Sequence, residues 1–132
     1  MNSENIQFVK TPQWIYVQHW GDNSLDFVTE LWNQIAVTCE RENCFVVLGV
    51  GHSSQPLSSS VSLAHERIFR RFGIDKRYLI AWVEAEAEAT ANIRLAEQIL
   101  VGKEITNGKL FFDEADAAQW LSARVKNFAR GN

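Results

Sequence analysis

Little in this chain points to a membrane, a metal or a nucleic acid. No stretch approaches the ~18 consecutive apolar residues of a membrane-spanning helix, so no membrane span is expected. The opening Met1-Asn2-Ser3-Glu4-Asn5 is polar, with no basic segment leading into an apolar one. No secretion signal is therefore expected, and the chain reads as cytoplasmic. Cysteine is scarce: Cys39 and Cys44, each near the end of an apolar stretch, are the only two. Two cysteines cannot complete a zinc site, and the nearest histidine in sequence, His52, lacks the paired spacing of such sites. They read as structural thiols in a reducing compartment; no metal and no cofactor is expected. Positive charge is not in excess either. The net charge is −3 and the pI about 5.6, whereas a nucleic-acid binder needs a positive field. The paired glycines and Gly-Lys-Ser/Thr ending of a phosphate loop are absent, as is the Gly-x-Ser-x-Gly nucleophile elbow.

What is present suits one α/β domain spanning residues 1–132. A chain of 132 residues buries roughly two thirds of its unfolded surface without needing staples. Its 46% hydrophobic and 22% charged residues, with five Trp and eight Phe, are ordinary for a globular core. Residues 6–10 and 14–20 read as an antiparallel hairpin around Pro12, the second strand alternating along its length. Asn23 or Ser24 caps a helix running to about Glu42, with Val28, Leu31, Trp32, Ile35 and Cys39 forming its core-facing stripe. The run from Phe45 to Val50 has no polar alternation and predicts a central strand covered on both faces. A helix from Ser58–Ser60 to Phe72 stops at Gly73. Then follow a strand at 78–83, a helix at 90–103, a strand at 109–112, and a last helix capped by Asp113 and running towards Phe128. The order β-β-α-β-α-β-α-β-α predicts a mixed, largely parallel sheet with helices packed on it.

The loop from His52 to Ser60 is the first candidate for function. It leaves the carboxyl end of a buried strand, where open α/β sheets tend to bind ligands. It also enters a helix whose free N–H groups favour an anion. Ser53, Ser54, Ser58, Ser59 and Ser60 can hydrogen-bond an anion or accept a phosphoryl group; the ordinary alternative is a solvated loop with an N-cap. Arg67, Arg70 and Arg71 form a basic side on the following helix, suited to a phosphate or an acidic partner, or simply to solvent. Glu84, Glu86 and Glu88 alternate beyond a strand; they read as a solvated strand end rather than a cation site. His19, His52 and His65 lack the neighbours of a catalytic triad.

Three segments carry a family resemblance. The first is Trp14 to Gly21 followed by Asp22 to Phe27. The second is Tyr78 to Val83 with the helix from Ala91 to Lys103. The third is Lys109 to Leu121, with its phenylalanine strand end, acidic helix start and Ala117-Ala118-Gln119-Trp120-Leu121. Together these resemble the STAS superfamily, in the branch similar to stage II sporulation protein AA. The resemblance implies a STAS-like fold and a non-enzymatic regulatory or protein-binding role like that of anti-sigma-factor antagonists; the alternative it implies is binding of a lipid or nucleotide. In phospho-regulated members a serine in an Asp-Ser-Ser-Gly-like stretch is phosphorylated; here that stretch reads His52-Ser53-Ser54-Gln55.

The resulting expectation is a protein partner, or a small apolar or anionic ligand, met by Ser53, Ser54, Ser58, Ser59, Arg67 and Arg71. A ligand pocket between sheet and helices would be lined by Trp14, Trp20 and Trp82. The open edge of the first hairpin would also suit a homodimer.

Overall fold

The computed structural model describes residues 5–84, 86 and 90–131, the last five by backbone alone. Five strands and four helices alternate as expected. They are β1 (Ile6–Lys10), β2 (Ile15–His19), α1 (Leu25–Glu42), β3 (Val46–Gly51), α2 (Ser59–Phe72), β4 (Leu79–Glu84), α3 (Thr90–Gly102), β5 (Asn107–Phe111) and α4 (Glu114–Gly131). The strands lie in the sheet in sequence order; β1 and β2 pair antiparallel and every later pair is parallel.

The two faces are covered unequally. Val28, Leu31, Trp32 and Ile35 of α1, Ala64, Ile68 and Phe69 of α2 and Leu100 of α3 pack with Ile15, Val17, Val47 and Ile80 on one face. On the other face Ala117 and Leu121 of α4 pack with Val46, Leu48, Val50, Leu79, Ala81 and Val83. All six residues of β3 are buried, as its unbroken apolar run predicts. Successive residues of that strand serve opposite faces, and Gly49 and Gly51 both fall on the α1–α3 side.

The helix ends follow local chemistry. Ser24 caps α1, accepting from the Phe27 N–H. Asn23, the other candidate, adopts φ 60° and sends its side chain to the Gln55 carbonyl at 2.8 Å. Ser58 caps α2, and Gly73 closes it in the left-handed conformation at φ 70°. In α4, Asp113 Oδ1 accepts from the Asp116 N–H at 2.8 Å.

Strand limits shift slightly from the sequence reading. Trp14 belongs to the turn, its N–H donating to Thr11 Oγ1 at 3.0 Å. β3 and β4 each begin and end one residue later than their apolar runs suggest, taking in Gly51 and Glu84. That last rung of the sheet forms the candidate site.

Candidate functional site

His19, Gly51 and Glu84 occupy one rung at the carboxyl ends of β2, β3 and β4. Gly51 makes room for the other two. A methyl group on its Cα would stand 2.8 Å from Glu84 Oε1 and 2.9 Å from His19 Nε2, so both side chains lean over the glycine from either side. Two rungs earlier, on the same face, the arrangement repeats: a methyl on Gly49 would stand 2.2 Å from the ring of Trp82. Two glycines in a fully covered strand thus open a trough in the sheet, filled by Trp82 and by the His19–Glu84 pair. A glycine within a strand often marks such a close approach.

Glu84 is only 1% exposed, which corrects the expectation of a solvated strand end. Its Oε1 accepts from the Ser53 hydroxyl at 2.7 Å and its Oε2 from the Glu86 N–H at 3.2 Å. Burial pushes its carboxyl above the ordinary value, and the Ser53 bond works against that shift. Glu88, third of the alternating acids, lies outside the described residues.

His19 is buried, and its Nδ1 accepts from the Gly21 N–H at 3.2 Å. The neutral ring therefore carries its proton on Nε2. Burial, reinforced by the nearby His52, lowers its pKa to about 4. His52 lies outside the pair: its ring stacks on Trp20 at 5.0 Å and 10°, and its Nε2 lies 3.0 Å from Gln18 Oε1.

The serine loop is bound to the sheet rather than free. Ser53 serves Glu84, Ser54 Oγ donates to the Gly21 carbonyl at 3.3 Å, and Ser58 Oγ accepts from the Val61 N–H at 3.2 Å. Of the four serines named as site residues, Ser59 is the one with an exposed side chain and no hydrogen bond to these groups. Arg67 and Arg71 are exposed on α2, and Arg71 lies over the Phe72 ring at 5.1 Å. The six expected site residues therefore divide. Ser53 and Ser54 join the rung at the strand ends, Ser58 caps a helix, and Ser59, Arg67 and Arg71 face outward.

Beneath the rung, between the sheet and helices α1–α3, lies a mainly apolar cavity of about 90 Å³. The cavity opens towards solvent. Leu31, Trp32, Phe69, Ile80, Trp82 and Leu100 line it, with His19, Asn23 and His65 among its polar neighbours. The aromatic rings form a continuous wall: Trp32 contacts Phe69 at 4.6 Å and Trp82 at 5.2 Å, and Trp82 stacks on His19 at 5.8 Å. Of the tryptophans expected to line a pocket, Trp82 does so. Trp14 packs instead on the α4 face, and Trp20 is exposed beside His52.

Two polar groups in this wall are distinctive. Trp32 is 6% exposed, and its Nε1–H is buried without a hydrogen-bond partner among the described residues. His65 is also 6% exposed. Its Nδ1 lies 2.8 Å from the Val61 carbonyl and so carries the proton, leaving Nε2 as an acceptor. Burial lowers its pKa as well, which keeps the ring neutral. A buried donor with no partner costs about 1–3 kcal/mol, and native interiors rarely keep one without cause.

No protein-family model, curated protein or solved structure matches this chain. The functional reading therefore rests on the site's own atoms. In sequence, Trp32 is one residue of a core stripe and His65 one histidine of a helix. The available signal was the glycine pair in Val46-Val47-Leu48-Gly49-Val50-Gly51, which predicts that large side chains cross the middle of the sheet.

Proposed function

We propose that this chain is a non-enzymatic, cytoplasmic binding domain of STAS-like type that holds a small molecule in the cavity between its sheet and α1–α3. The observation that carries this reading is the Trp32 Nε1–H, without a partner among the described residues, in the wall of an apolar cavity. Ligand sites combine such apolar walls with a few placed polar groups. A binding role rather than catalysis is favoured by how the polar groups are used. Ser53 donates to a carboxylate rather than to a histidine base, and Nδ1 of His19 is occupied by a backbone N–H.

Calorimetric titration with toluene tests the reading. Ala96 lines the cavity and is buried, so Ala96→Leu fills part of it. The expected result is saturable binding to the parent chain and at least tenfold weaker binding to an Ala96→Leu chain that still melts cooperatively. Equal binding to both would place the toluene elsewhere and remove the cavity from the account.

A protein partner is the second reading, supported by the outer face of α2. Ser59, Leu63, Arg67 and Arg71 recur at four-residue steps and are all exposed, Leu63 at 59%. An apolar residue between a serine and two arginines on one stripe suits an acidic partner surface with an apolar centre. The inner face of the same helix supplies His65 and Phe69 to the cavity. A regulatory role similar to that of anti-sigma-factor antagonists would join these two faces.

A further inference from the structure

We infer that the cavity selects small neutral molecules bearing a hydroxyl group, through Trp32 and His65; this rests on the cavity being a ligand site. Trp32 Nε1–H can only donate, and it has no acceptor among the described residues. His65, held neutral with its proton on Nδ1, offers only a lone pair at Nε2. The two rings line the same cavity and meet edge to face, with centroids 6.3 Å apart and planes at 79°. A group that satisfies both must accept one hydrogen bond and donate another, which is what a hydroxyl does.

Other head groups fit less well. A carboxylate or phosphate would answer Trp32 but present a second acceptor to the His65 lone pair. It would also carry a charge into an apolar wall beside the Glu97 carboxylate, while Arg67 and Arg71 face outward and the ammonium of Lys109, which also lines the cavity, lies over the Phe111 ring at 5.5 Å. An ammonium would answer His65 and leave the indole N–H unpaired. A hydrocarbon leaves the indole N–H unpaired and gains only burial. A site built around buried polar groups discriminates strongly against an analogue that leaves them unsatisfied. The remaining wall, from Phe69 to Trp82, suits a flat apolar body of modest size.

Phenol and toluene are close in shape and differ by hydroxyl against methyl, so the pair reads the inference directly. Both are titrated calorimetrically into the parent chain and into Trp32→Phe, with thermal melts to confirm folding. Phenol should bind the parent at least tenfold more tightly than toluene. Trp32→Phe, which removes the donor and keeps an aromatic ring, should cost phenol about tenfold and leave toluene within twofold. The parent-chain comparison needs no variant, so a misfolded Trp32→Phe does not rescue the inference. Equal affinity for the two probes on the parent chain would overturn the hydroxyl selection while leaving the cavity as a site. Failure of both probes to bind would overturn the cavity reading itself.

Discussion

At the scale of single residues, the rung of His19, Gly51 and Glu84 fixes what each position tolerates. Gly51→Ala places a methyl under 3 Å from both neighbours. Overpacking of this kind costs about 1–3 kcal/mol, and a urea melt should show that loss with an unchanged m-value. The titrating pair should also respond to pH in opposite senses. His19 is neutral in the folded chain down to about pH 4, whereas its ordinary value is 6.5. The unfolded chain binds the proton first, so stability falls as pH drops from 6.5 towards 4, by an amount of order 3 kcal/mol. Burial of His65 acts in the same direction. For Glu84 the folded pKa is raised; the folded chain holds the proton longer, and stability falls as pH rises above its ordinary 4.5. Glu84→Gln should therefore become more stable relative to the parent as pH increases through that range. Urea midpoints across pH 4 to 7 test this, and a difference independent of pH would show that Glu84 does not titrate between the two states. Beyond the glycine pair, none of this was visible in sequence. Glu84 stands at the end of an apolar run and resembles a solvated acid until the neighbouring strands are in register.

At the scale of elements, α2 has one buried face and one exposed stripe. Its ends were legible because they depend on local chemistry: Ser58 caps the first turn and Gly73 takes the left-handed conformation that ends the helix. The strands were legible in their interiors and less so at their ends, since apolar runs mark burial and not hydrogen bonding. β3 and β4 therefore extend one residue past the last apolar side chain, to Gly51 and Glu84. The exposed stripe of α2 makes a prediction at this scale. Leu63→Asp or Arg67→Glu alters only surface and should leave stability within about 0.5 kcal/mol. If the stripe meets a partner, either change should abolish capture of a protein that the parent chain retains from native extract. Capture unchanged by both would remove the partner reading of α2.

At the scale of the molecule, the order of elements was readable, and so was a pocket between sheet and helices, but of its lining only Trp82 was. Strand–helix alternation predicts a parallel sheet after an opening hairpin, and the five strands lie in sequence order. Among the described residues, no helix is long and apolar enough to cross a membrane. The cavity depends instead on how three helices meet one face of the sheet. Trp32 from α1, His65 and Phe69 from α2 and Leu100 from α3 come together only in the folded chain. That same convergence leaves one indole N–H buried without a partner among the described residues, which a bound ligand would supply.

The most direct test is the indole region of a ¹⁵N–¹H spectrum, where the chain's five tryptophans give five side-chain signals, with that of Trp32 assigned by Trp32→Phe. Titration with phenol should move the Trp32 signal downfield and saturably, shift Trp82 in the same wall less, and leave exposed Trp20 in place. A stationary Trp32 signal at concentrations that saturate calorimetric binding, or movement confined to Trp20, would contradict the account.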